Sequence, residues 1–140
     1  MTDSRLVLAK LLSIIGLAIF SIYYIDELAK EGGTAGGFLP IASPIIRGLS
    51  FQLSTMIISA VAFARSWKKP SLLLSATLVI VGALMVVDGI TTGTRYFTIL
   101  VLPGPIIGFA YGLVVLAFGI VKSIEMARVM TTAPSRFEAK

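Results

Sequence analysis

The chain reads as four long apolar runs separated by short clusters of charge, proline and glycine. The first, residues 6–25, is interrupted only by Lys10. At 1.5 Å per residue such a run covers about 30 Å, the hydrocarbon thickness of a bilayer. Lys10 lies near one end, from where its ammonium snorkels to the interface. The second run covers residues 44–64. Ser43 and Pro44 supply an N-cap hydroxyl followed by proline at the first helical position, and no charge interrupts Gly48 to Ala64. The third, residues 71–88, is opened by Pro70 and closed by Asp88 and Gly89, and the fourth, residues 105–122, starts at Pro105. Residues 123–140 form a cytoplasmic tail whose first part extends the fourth helix before Thr131–Ser135 breaks it. None of the runs alternates cleanly, and a membrane barrel needs at least about eight strands. The predicted fold is an all-α integral membrane protein, a single four-helix transmembrane domain over residues 1–140. The first run is too long for a signal peptide and no small-residue cleavage site follows Tyr23-Tyr24-Ile25-Asp26, so it is expected to stay as a helix.

Composition agrees with the pattern. Hydrophobic residues make up 56% and charged residues 14%, against about 45–50% and about 25% in a soluble domain. Mean hydropathy is +0.96. A soluble enzyme, a nucleic-acid module and a disordered chain are excluded on that ground. The chain has neither Cys nor His. Thiolate chemistry is therefore out, as are the usual ligand of haem, copper and zinc and the commonest general base. No phosphate-cradling loop, dinucleotide fingerprint, metal-ligand spacing or catalytic dyad occurs. No catalytic, cofactor or metal site is expected, and the protein is not expected to be an enzyme by itself.

The twelve basic residues report orientation. With four spans, Arg5, Lys10, Arg65, Lys68, Lys69, Lys122, Arg128, Arg136 and Lys140 share one side, and Lys30, Arg47 and Arg95 the other. The excess places both termini in the cytoplasm and the chain in the plasma membrane. Tyr23, Tyr24, Tyr96 and Phe97 fall at outer ends and Trp67 at an inner one. The short turn at residues 65–69 predicts that the second and third helices are antiparallel neighbours.

The two outer connections resemble each other. Asp26, Leu39-Pro40 and Pro44-Ile45-Ile46 return as Asp88, Leu102-Pro103 and Pro105-Ile106-Ile107, at offsets of 62, 63 and 61 residues. That suggests two tandem helical hairpins, and chance in an apolar chain is the competing explanation. The apolar stretches Phe38–Ile41 and Tyr96–Leu102 suit the outer interface or a covered dip into the membrane.

Three sets of residues stand out as candidates for contact or binding. Gly104, Gly108, Gly112 and Gly119 form a small-residue face on the fourth helix, the usual device for close packing of membrane helices. Gly48, Gln52, Thr55 and Ser59 make a small polar stripe on the second. The carboxylates Asp26, Glu27 and Asp88 sit at the ends of their predicted spans, where the helix dipole disfavours an anion. Arg47 and Arg95 lie at the same level, which makes Asp26, Asp88, Arg47 and Arg95 candidates for an outer ion pair or a cation site. These features point to a non-catalytic membrane subunit that packs against and stabilises a larger complex, such as a respiratory, oxidase, monooxygenase or transport assembly. The alternative is a small oligomeric channel or transporter for an ion, proton or solute. An intramembrane enzyme built on the carboxylates ranks last. The expected partners are the lipid bilayer and either other membrane subunits or further copies of the chain, with no nucleic acid.

Overall fold

The computed structural model describes residues 4–31, 44–96 and 103–132. They form four helices, α1 (Ser4–Glu31), α2 (Pro44–Arg65), α3 (Leu72–Tyr96) and α4 (Pro103–Thr132). Each contains a stretch long and apolar enough to cross a membrane: Ser4–Lys30, Ile46–Arg65, Leu72–Thr92 and Ile106–Thr131. Helices suit this solvent because they bond their backbone N–H and C=O groups within the segment. Leu11, Ile25, Ile57, Leu72, Ile106 and Ile124 project outward from the bundle, as lipid-facing side chains do.

The helices outrun the apolar runs. α1 continues past Ile25 through Asp26 and Glu27 to Glu31, with Lys30 in its last turn. α3 does not stop at Asp88-Gly89 but runs on to Tyr96, so Asp88 lies inside the helix and the dipole argument does not apply to it. The Thr91 hydroxyl bonds back to the carbonyls of Val87 and Asp88 within this added turn. α4 begins at Pro103. Both Pro103 and Pro105 fit its first turn, where backbone N–H groups have no intrahelical acceptor.

Around the bundle the order is α1, α2, α4, α3 and back to α1, with α3–α4 the most intimate pair and α1–α2 the next. α2 and α3, expected as neighbours because a short turn joins them, instead stand across the diagonal. The turn limits their separation but does not decide which helix sits between them. Backbone access decides it.

A methyl group added at Gly89 would lie 2.8 Å from the Phe109 nitrogen, at Gly112 2.7 Å from the Val86 nitrogen, and at Gly119 2.7 Å from the Val79 nitrogen. At Gly82 it would lie 2.6 Å from the Leu116 Cα. Moving from Gly82 to Gly89 advances seven residues along α3, and the contacts retreat seven along α4, from Leu116 to Phe109. The two helices are therefore antiparallel and meet backbone to backbone twice per heptad, at positions 79, 82, 86 and 89 of α3. α1 and α2 pack less closely, since Gly16 meets the Ile58 side chain at an ordinary 3.4 Å.

Phe20, Leu74, Leu78, Val81, Met85 and Val115 fill the middle, each almost wholly inaccessible. Nearer the α2–α3 turn, Phe63 stacks on Phe118 at 4.5 Å and meets Trp67 edge-on at 5.1 Å. The buried charged groups lie on either side of this apolar layer, while the buried hydroxyls of Ser59, Ser75 and Thr77 are set within it.

Candidate functional site

At the end away from the α2–α3 turn, each helix contributes to a polar assembly. The last turns of α1 carry Asp26 and Glu27, and the start of α2 carries Arg47, which is 3% exposed. Its guanidinium forks between the two carboxylates, with Nη1 3.1 Å from Asp26 Oδ2 and Nη2 donating to Glu27 Oε2 at 2.8 Å. Lys30 adds contacts of 3.3 Å to Asp26 and 3.6 Å to Glu27. A two-point guanidinium contact is geometrically specific as well as charge-assisted. It joins α1 to α2 where a lone buried carboxylate would be costly.

Asp88 occupies a different setting. It is 2% exposed on α3, and its Oδ2 accepts a hydrogen bond of 2.9 Å from Gln52 Nε2, across the bundle diagonal. The Gln52 amide has room because α4 presents Gly108 there. A methyl group at that position would sit 2.7 Å from the amide carbon. One turn deeper on the same face of α2 lies Thr55, fully buried, with no hydrogen-bond partner for its hydroxyl. Asp88, Gln52 and Gly108 therefore form a three-helix junction inside a membrane-spanning region, with Thr55 next along α2.

The second assembly lies at the turn end. Lys122 of α4 is fully buried, and its ammonium donates to the carbonyls of Ser66 and Trp67 at 2.6 and 2.9 Å and to Glu125 at 2.7 Å. It also lies 5.5 Å from the centre of the Phe63 ring. Carbonyls at a helix C-terminus lack intrahelical donors, and a cation there also matches the dipole. Lys122 is thus a cap for α2 supplied by α4. Hydroxyls make further ties, Thr77 to Ser13 at 3.0 Å between α3 and α1, and Ser75 to Ser123 at 2.6 Å between α3 and α4.

The structure brings Asp26 together with Arg47, and Asp88 with Gln52 and Gly108. It does not join Asp88 to Arg47, and the side chain of Arg95 lies outside the described set. Gly108 and Gly112 do not share a neighbour as a single row predicts. Gly108 faces Gln52 of α2, whereas Gly112 and Gly119 face α3. A four-residue step advances 40° beyond a full turn, enough to point successive glycines at different helices. Gly48 meets the Tyr23 hydroxyl, and Ser59 lies beside Gly16. The contacts of Gly104, the stretches Phe38–Ile41 and 97–102, and the tail beyond Thr132 also lie outside the described residues. Sequence reasoning missed Gly82, Gly89, Ser13, Thr77 and the capping role of Lys122. For the two glycines a signal existed in their seven-residue spacing, which matches that of Gly112 and Gly119. Among the described residues, no group of three or more acidic side chains is arranged to hold a metal ion. No family model, no curated protein and no solved structure matches this chain.

Proposed function

We propose that the protein is a non-catalytic, multi-pass subunit that stabilises a larger membrane complex, oriented with both termini in the cytoplasm. The carrying observation is the filled middle of the bundle. Phe20, Leu74, Leu78, Val81, Met85 and Val115 separate the two polar assemblies, and α3 and α4 close on each other through their backbones. A pathway through a single copy would need a continuous file of polar groups or water past these large side chains, whereas Thr77 and Ser75 spend their hydroxyls on neighbouring helices, which favours the subunit over the channel. The polar side chains at both ends serve helix-to-helix contacts, as in a rigid element whose outer surface is left for lipid and neighbours. Extraction in a mild detergent followed by native electrophoresis tests this reading. The chain is expected to migrate with larger membrane proteins, whereas migration only as a small monomer overturns it.

A further inference from the structure

We propose that Asp88, Gln52 and Thr55 form a binding site for a single sodium ion, closed on its fourth side by Gly108. Charge balance is the first argument. Asp26 and Glu27 are met by Arg47 and Lys30. Among the described residues, the side-chain partner of Asp88 is a neutral amide. Of the helices packed around it, α1 carries Glu27, held by Arg47 and Lys30, α2 brings Gln52, and α4 offers Gly108 and the Phe109 backbone. A buried carboxylate without a cation is costly, and one monovalent ion cancels its charge.

The orphan hydroxyl is the second and independent argument. Thr55 is fully buried and its Oγ1 has no partner. Such a group in a folded protein calls for a ligand or a water. Side chains three apart on a helix lie about 5–6 Å from each other, and each Cα–Cβ bond tilts toward the helix N-terminus. Thr55 therefore leans toward Gln52 and the level of Asp88. The donor set is then a carboxylate, an amide carbonyl and a hydroxyl, all hard oxygens of the kind alkali and alkaline-earth cations take. A proton on Asp88 would neutralise the charge but leave Thr55 unserved. Gly108 matters because any side chain there would collide with the amide that has to turn its oxygen inward. The filled layer beneath makes this a place of residence, not a route, so the site pins α2, α3 and α4 together at one level. It does not depend on the subunit reading.

The test uses the purified full chain in detergent. Thermal unfolding is followed while sodium chloride replaces N-methylglucamine chloride at constant ionic strength and pH, with direct binding of radioactive sodium alongside. The wild type is expected to bind sodium saturably and, above the dissociation constant so measured, to gain Tm in step with the logarithm of sodium concentration. Asp88→Asn, which keeps the shape and the bond to Gln52, is expected to abolish both responses. Thr55→Val is expected to weaken binding by about tenfold while circular dichroism shows an intact bundle. Equal stabilisation by both salts overturns the proposal, as does a Tm that follows pH alone, or a sodium response that survives in Asp88→Asn. Loss of helicity in Asp88→Asn shifts the decision to Thr55→Val, where unchanged sodium affinity overturns the proposal.

Discussion

The position least tolerant of change is a glycine whose neighbour the sequence does not reveal. At Gly82 the nearest neighbours of an added carbon are the Leu116 nitrogen, Cα and Cβ, so relief would need α4 itself to move. At Gly16 the nearest atom is the end of the Ile58 side chain at 3.4 Å, an ordinary contact. The same substitution should therefore have opposite effects. Gly82→Ala is expected to cost about 1–3 kcal/mol through overpacking, and Gly16→Ala to be neutral or to gain up to about 1 kcal/mol from helix propensity. Unfolding by titration with a denaturing detergent measures both. A tolerated Gly82→Ala would mean that α3 and α4 do not meet through their backbones. Composition at these two sites is identical, and only the neighbour differs. That is why a reading of residues along one helix stops at "small face" and cannot rank its members.

At the scale of elements, helix existence and span were legible because apolar runs of bilayer length leave few alternatives. Pairing was not. In lipid the outside of a helix is as apolar as the inside, so the polar stripe on α2 shows that a face is buried without showing against what. The resemblance between the two halves likewise predicts two hairpins but not their unequal packing, which follows from four glycines on α3 and α4 against Gly16 and Gly48 on the other pair. Lys122 is the clearest case. In sequence it is one more basic residue at the end of a span, yet it closes the C-terminus of α2 from α4. Lys122→Met leaves the Trp67 carbonyl without this donor and the Ser66 carbonyl with the Lys69 N–H alone, and should cost about 1.5–3 kcal/mol. Glu125→Gln keeps an acceptor for Lys122 and removes only the charge of the pair's partly exposed member, and should cost less than Lys122→Met. Chemical or thermal unfolding of the two variants separates a cap from a salt bridge. Equal losses would show that the pairing with Glu125, not the carbonyls, is what Lys122 contributes.

For the whole molecule the open quantity is which way the bundle faces, and its charges make a prediction independent of function. The end bearing the α2–α3 turn carries Arg5, Lys10, Arg65, Lys68, Lys69, Lys122 and Arg128, with Arg136 and Lys140 further along the same tail. At the other end, Lys30 and Arg47 are engaged by Asp26 and Glu27 inside the protein, which leaves less basic charge displayed to the membrane surface. Positive charge is retained on the cytoplasmic side, and short loops close to the spans weigh most. A reporter fused after Lys140 should therefore read as cytoplasmic, and one inserted within Gly32–Gly37 as external. Removing a single charge should change neither. Replacing Arg65, Lys68 and Lys69 together with Gln acts on the one short loop between α2 and α3, where no other basic residue holds the turn. Insertion of that central pair is then expected to become mixed, while the reporter after Lys140 stays cytoplasmic because Lys122, Arg128 and Arg136 still anchor α4. Trp67, exposed in the same turn, keeps its interfacial preference in the variant, so any loss of orientation belongs to the charges. An external reading after Lys140 in the unaltered chain would reverse the bundle and move the Asp88 junction to the cytoplasmic half of the membrane.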